Sequence, residues 1–352
     1  MNNRRNIWQN FDFVLFGVVL VLSIFGIAMI NSAVAGDAEL LGHPRRQTIF
    51  LLISLVVLFV VGALDYKYWI SLIPVMYIVT IGFLLLVRTA EARFGSARWL
   101  TLGTILIQPA ELAKIVVILG LSNFFSNHFE DAQKTTVILR SGLLVGLIAI
   151  WIFLQPNLST TIVLLVIWAA FLWITGIRIK LIFIVVGVII LVLLIGLGTG
   201  FSFLEEYQRN RITNFLFPDP NASYGETYNV DQALITIGTG SWFGEGYLQS
   251  TQSQLHFLMV RHTDFIFSVM AAEFGFVGTT IVILLLMVVA YRCFRIAQNA
   301  TDLFGALIAY GFGILIFFQS MVNIGVNLNV LPVTGLTLPF VKIGRASCRE
   351  RV

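Results

Sequence analysis

An all-α, polytopic transmembrane bundle is the fold class this sequence predicts, and three observations predict it. Only 11% of the 352 residues are charged and 58% are hydrophobic, whereas a water-soluble domain carries about a quarter charged. The apolar residues fall into runs close to the roughly 20 residues that cross a bilayer as helix. Hydrocarbon offers no partners to backbone N–H and C=O groups, so runs of this kind satisfy them internally, as helices.

Taken in order, the predicted spans are residues 11–33, 47–63, 68–87, 109–125, 141–154, 158–175, 181–198, 265–290 and 303–324, nine in all. The first run is long and has no small-residue cleavage site after it, so it reads as a span and not as a signal peptide. The fifth is short and is separated from the sixth by Gln155-Pro156-Asn157. A proline restricts the residue before it and removes a donor, so this break predicts a tight turn at one membrane face, not a kink in one long helix. Most connections are short. The exceptions are residues 88–108 and a large loop, residues 199–263, between spans seven and eight.

Basic residues near span ends favour a cytoplasmic N-terminus. That orientation puts Arg4, Arg5, Lys67, Lys134, Arg140, Arg178, Lys180, Arg292 and Arg295 inside, and Arg45, Arg46, Arg88, Arg93 and Arg98 outside once the long loop is set aside. The outer cations then need a reason of their own, which an anionic ligand would supply. The net charge of +4 is scattered and suggests no nucleic-acid partner. Cys293 and Cys348 make no disulfide or zinc framework.

Several polar residues stand where apolar ones are expected. Glu111 and Lys114 are three apart on one face at the start of the fourth span. They read either as a mutually neutralised pair or as a cavity lysine held by its carboxylate. Asp264 opens the eighth span after Thr263; it is either a helix N-cap or a general base in a buried setting. Glu273, nine residues on, falls on roughly the opposite helix face and makes no two-carboxylate site with it. His262 has no second histidine at metal-ligand spacing. The long loop holds Tyr207, Gln208, Arg209, Arg211, Tyr228 and Gln232, and its glycines Gly238, Gly240, Gly244 and Gly246 allow backbone to approach backbone or ligand.

A set of motifs in order along the chain resembles the shape, elongation, division and sporulation (SEDS) family, whose members include RodA and FtsW. They are Arg98-Trp99-Leu100; Gln108-Pro109-Ala110-Glu111-Leu112-Ala113-Lys114; Gln155-Pro156-Asn157-Leu158; and Tyr207-Gln208-Arg209 with Arg211, Phe215 and Pro218. Gln232, Gly238 and Gly240 follow, then Gly244-Glu245-Gly246, His262-Thr263-Asp264-Phe265-Ile266-Phe267, Asn323 with Gly325, and the run from Leu331-Pro332 to Pro339-Phe340. The Thr251-Gln252-Ser253-Gln254-Leu255 run is more similar to the elongation branch, RodA, than to the division branch, FtsW.

This resemblance implies a glycosyltransferase that polymerises lipid II, a disaccharide-peptide on undecaprenyl pyrophosphate, outside the bacterial cytoplasmic membrane. It implies a class B penicillin-binding protein as partner, within the elongation complex. Asp264 is expected to be the general base. Arg98, Lys114, Arg209 and Arg211, with Gln208 and Gln232, are expected to bind substrate and its departing pyrophosphate, and Glu111 to orient Lys114. A divalent cation, Mg or Mn, could share the charge. No organic cofactor is expected. A lipid II flippase or a non-catalytic scaffold for a transpeptidase are the rival readings.

The chain departs from the family pattern in three places. Met259-Val260 replaces a Pro-Glu pair, and Asn157 replaces an aspartate, which leaves Asn157 as a hydrogen-bonding turn residue. Residues 1–341 read as one membrane domain, whereas 342–352 read as translated sequencing adapter where the family continues into a tenth span.

Overall fold

The computed structural model describes residues 11–36, 42–89, 100–102, 105–177, 187, 206–218, 225–254, 258 and 264–341. Among these, seven helices are long and apolar enough to cross a membrane: α1 (Phe13–Ala33), α2 (His43–Ala63), α3 (Tyr68–Thr89), α4 (Pro109–Asn127), α5 (Thr135–Phe153), α10 (Ile266–Asn299) and α11 (Leu303–Asn327). The apolar α6 (Leu158–Ile174) is shorter, at 17 residues. The predicted span 181–198 lies outside the described residues. Within the large loop stand α7 (Glu206–Leu216), α8 (Glu226–Thr239) and the one-turn α9 (Thr251–Gln254). The 88–108 connection carries two three-residue strands, β1 (Leu100–Leu102) and β2 (Ile105–Ile107), paired antiparallel.

The centre of the bundle is α4, α6, α10 and α11. Their facing side chains include Ile118, Leu121, Phe125, Leu164, Phe171, Val269 and Val322, all buried. By contrast α2 packs chiefly on α1, and its Leu52, Val56 and Val60 point outward, as side chains do whose solvent is lipid. The fifth span is longer than its apolar run: α5 starts at Thr135 and includes Arg140, because helix continues through polar residues that sit beyond the hydrocarbon.

The Gln155-Pro156-Asn157 segment is a turn between two helices, as predicted. Asn157 caps α6, its Oδ1 accepting from the Thr160 amide at 3.4 Å and the Thr160 hydroxyl at 3.1 Å. Gln155 Nε2 donates to the Leu84 carbonyl at 2.8 Å, which ties the turn to α3.

Two ties fix the register of α1 against antiparallel α10. At one face Arg292 donates to both carboxylate oxygens of Asp12, at 2.9 and 2.7 Å. At the other face the Ser32 hydroxyl donates to Glu273. At 1.5 Å per residue, both intervals come to about 30 Å, one hydrocarbon thickness. The Arg292 hydrogen bond is the main reason the Asp12 carboxyl is held below its usual 3.8. On the Asp12 face, too, Asp302 caps α11 by accepting from Gly305 N–H at 3.0 Å, and the Tyr66 hydroxyl donates to it. That bond, helped by burial, pushes the Tyr66 phenol up to about 12.

The eighth span differs from the sequence expectation. It extends to Asn299, and it is broken at Gly275, whose φ of 65° and ψ of −166° are not helical. A break strands backbone carbonyls and amides, which is costly in a membrane unless the protein supplies partners. The 240–246 loop supplies four of them. Ala272 and Glu273 carbonyls accept from Glu245 and Gly246 amides at 2.8 and 3.0 Å, while Phe276 and Val277 amides donate to Ser241 and Trp242 carbonyls at 2.9 and 3.1 Å. The glycine-rich loop therefore approaches backbone. Glu273 is level with the end of α1, and the break sets the Ile266-to-Phe274 half-helix, which follows directly on Asp264, apart from the rest of α10.

Candidate active site

Asp264 occupies a turn immediately before α10 and is 6% exposed. It is not the N-cap residue of α10. The N-cap is Phe265, which makes no side-chain capping bond; Thr263 and His262 lie outside the described residues. The cap comes from another helix. Asn327, at the end of α11, accepts the Ser268 amide at 3.2 Å and the Ser268 hydroxyl at 2.8 Å on Oδ1. Its Nδ2 donates to the carbonyls of Asp264 and Asn323, at 3.0 and 2.9 Å.

One turn earlier, Asn323 Nδ2 donates to Leu336 O at 2.9 Å and approaches Asp264 O at 3.4 Å. The segment after α11 is thereby held against this corner, and Ser159 at the start of α6 also grips it, donating to Thr334 O at 2.6 Å. Stretches far apart in sequence, around residues 157–160, 264–268, 323–327 and 334–336, thus assemble into one polar corner on one face of the bundle.

Lys114 and Glu111 form an ion pair of 2.6 Å at the start of α4, the lysine side chain 3% exposed and the glutamate 48%. The carboxylate stands in the first turn, where the helix dipole favours negative charge, and it reaches water while its partner does not. Burial of an ammonium is costly without such a counter-charge, so neutralisation and positioning of Lys114 are the same contact.

On α7, Arg211 and Arg209 part company. Arg211 is half-buried and lines a cavity of about 80 Å³ with Asn214, Phe215, Thr227, Asp231 and Asn329. Asn329 is two residues beyond Asn327, so this cavity adjoins the segment that holds Asp264. Arg209 is exposed and is not part of that lining. Gln208 is buried, and Gln232 is half-buried on α8, its carbonyl accepting from Thr236. Arg98 lies outside the described residues. Among the described residues no three His, Cys, Asp or Glu side chains converge as a metal-ligand set.

Sequence reasoning missed Asn327 and Ser268 altogether. The signal was present in the spacing: Gln319, Asn323 and Asn327 recur every four residues, a polar stripe down one face of an otherwise apolar span.

Comparison with known proteins bears on the chain as a whole. A family model described as cell cycle protein, covering FtsW, RodA and SpoVE, matches residues 12–350. A probable peptidoglycan glycosyltransferase FtsW of Hydrogenovibrio crunogenus is 35% identical over 348 residues, 96% of this chain and 87% of the relative. The corresponding protein of Nitrosococcus halophilus is 35% identical over 350 residues, 96% and 88%. Among solved structures, a chain of a peptidoglycan synthase complex that coordinates polymerization and crosslinking is similar at TM-score 0.79 and 28% identity, covering 96% of this chain and 93% of its own. The rod shape determining protein RodA of Thermus thermophilus is similar at TM-score 0.68 and 27% identity, with 96% and 92% covered.

Proposed function

The chain belongs to the FtsW/RodA/SpoVE family of cell cycle proteins, and we propose that it is a peptidoglycan glycosyltransferase that polymerises lipid II at the outer face of the bacterial cytoplasmic membrane. The observation that carries the reading is Asp264, a buried carboxylate whose backbone is held from a second helix at a polar corner of an apolar bundle. The N-terminus and the Asp12 face are assigned to the cytoplasm, and the Asp264 face to the outside, where its substrate is joined into strands.

In the proposed step the Asp264 carboxylate takes the proton of the acceptor's GlcNAc 4-hydroxyl. That oxygen attacks the anomeric carbon of the donor's MurNAc with inversion. The bond from carbon to the pyrophosphate oxygen breaks, and its electron pair leaves with undecaprenyl pyrophosphate. The leaving group is already stable as an anion, so the protein's task is to hold growing negative charge. Lys114 with its orienting Glu111, Arg211 and Arg98 are assigned to that, with Gln208 and Gln232 as hydrogen-bonding groups; guanidinium matches phosphate oxygens well, whereas Arg209, expected from the sequence to share the task, is exposed and is left only a screened, long-range contribution. A divalent cation is proposed only as a companion of the pyrophosphate, and no step depends on it. The partner is a class B penicillin-binding protein that crosslinks the strand.

Two observations favour different cellular roles. The run from Thr251 to Leu255 resembles the elongation branch, whereas the curated relatives at 35% identity carry the FtsW name. Depletion of the parent gene separates them: round cells mark elongation, undivided filaments mark division.

The decisive assay is polymerisation of purified lipid II by the full chain with its partner, Asp264→Asn alongside. Glycan strands from the wild type and none from the variant support the enzyme. A flippase would make no strands in detergent. A scaffold would tolerate Asp264→Asn with cell shape intact.

A further inference from the structure

We propose that Asn327 is a positioning residue for Asp264, an inference that rests on the glycosyltransferase reading and extends it to a residue the whole of two helices, α10 and α11, away in sequence. The N-cap residue of α10, Phe265, makes no side-chain capping bond. The first amides of a helix lack full intrahelical partners; here the Ser268 amide bridges the Phe265 carbonyl, at 3.1 Å, and Asn327. Asn327 closes both ends of the turn before α10 at once. Its oxygen takes the Ser268 amide inside the helix, and its amide nitrogen takes the Asp264 carbonyl outside it, at 3.2 and 3.0 Å.

With the Asn323 carbonyl and the Ser268 hydroxyl as its other two partners, the carboxamide uses two donors and two acceptor sites, which is all it has. It is 0% exposed, so water cannot replace it. The Asp264 carbonyl is therefore held by α11, and the carboxylate hangs from that backbone. Catalytic geometry is sensitive at this scale: a displacement of about 1 Å can cost on the order of 100-fold in rate. Asn323 is a weaker second hold, at 3.4 Å, and it links the same carbonyl to the Leu336 segment.

The test is steady-state polymerisation of lipid II by the full chain in nanodiscs, co-purified with its transpeptidase. Asn327→Ala is expected to lower kcat by about 10- to 100-fold with KM within about threefold. Asn327→Ser, which restores a single donor, is expected to fall between it and the wild type. Ser141→Ala removes a remote buried hydrogen bond from Trp168 and serves as the control for stability alone, with kcat unchanged. Should Asn327→Ala not fold, the same split is read from Asn327→Ser and Asn323→Ala. Folded Asn327 variants with wild-type kcat, or losses matched by Ser141→Ala at equal Tm, overturn the inference. An active Asp264→Asn overturns instead the reading on which it rests.

Discussion

A methyl group on Gly240 would stand 1.8 Å from the carbonyl oxygen of Ala271, a backbone atom that no side-chain rotation can move. The contact is the point where the extramembrane loop locks onto the broken helix α10, and the four loop-to-helix hydrogen bonds follow it in register. Gly240→Ala is therefore expected to cost about 2–3 kcal/mol, the scale of overpacking in a closed core. Gly238, two residues away in α8, has nothing within 4 Å of an added Cβ, and Gly238→Ala is expected to be neutral or to stabilise by about 0.5 kcal/mol. Thermal unfolding of both variants in nanodiscs decides it; equal melting temperatures would mean the loop is not seated on α10.

That lock shows what could be read from the sequence and what could not. The spans were visible because hydrocarbon imposes length and apolarity, which leave their trace in every window of residues. The turn at Gln155-Pro156-Asn157 was visible because proline acts locally. The break at Gly275 was not, since a glycine within an apolar helix is commonplace, and the partner that makes the break tolerable is a loop some thirty residues earlier. Asp264 could be singled out as a buried carboxylate, yet its cap comes from Asn327, and no local pattern around Asp264 announces a cap in trans. Arg209 and Arg211 looked equivalent in sequence; a helix turns them about 200° apart.

The Glu111–Lys114 pair predicts an asymmetric double mutant. Glu111→Gln leaves a buried ammonium without its counter-charge and is expected to destabilise by about 2 kcal/mol, less than a fully buried pair would, since water reaches the glutamate side. Adding Lys114→Met removes the uncompensated charge, so the double variant should recover most of that loss. Polymerisation should not recover with it if Lys114 holds the pyrophosphate. A double variant no more stable than Glu111→Gln would show that the lysine is hydrated.

The Asp12–Arg292 tie predicts a pH dependence of stability. The folded Asp12 carboxyl lies below the 3.8 of the free group, so the native state binds the proton less readily than the unfolded chain. Its contribution is complete above the unfolded value and is lost as pH falls through the lower folded one. Asp12→Asn keeps an oxygen to cap α1 but loses the charge. The melting-temperature gap between wild type and variant should be constant from pH 7 to 5 and should shrink below about 4. A gap that persists unchanged to pH 2.5 would remove the ion pair from the account.

The two arginines of α7 give the sharpest separation of site from surface. Arg211 shares a cavity with Asp231 and Asn329 beside the segment that carries Asn327, whereas Arg209 points to solvent. A charge-assisted hydrogen bond to a phosphate oxygen is worth about 1.5–3 kcal/mol, or roughly 10- to 150-fold. Arg211→Ala is expected to lose that much in kcat/KM for lipid II, with Arg211→Lys recovering the charge but not the planar fork and so only part of the rate. Arg209→Ala should lose less than about threefold, in keeping with a screened surface charge. The reverse order would relocate the pyrophosphate to the exposed side of α7, away from the corner that Asn327 and Asp264 share.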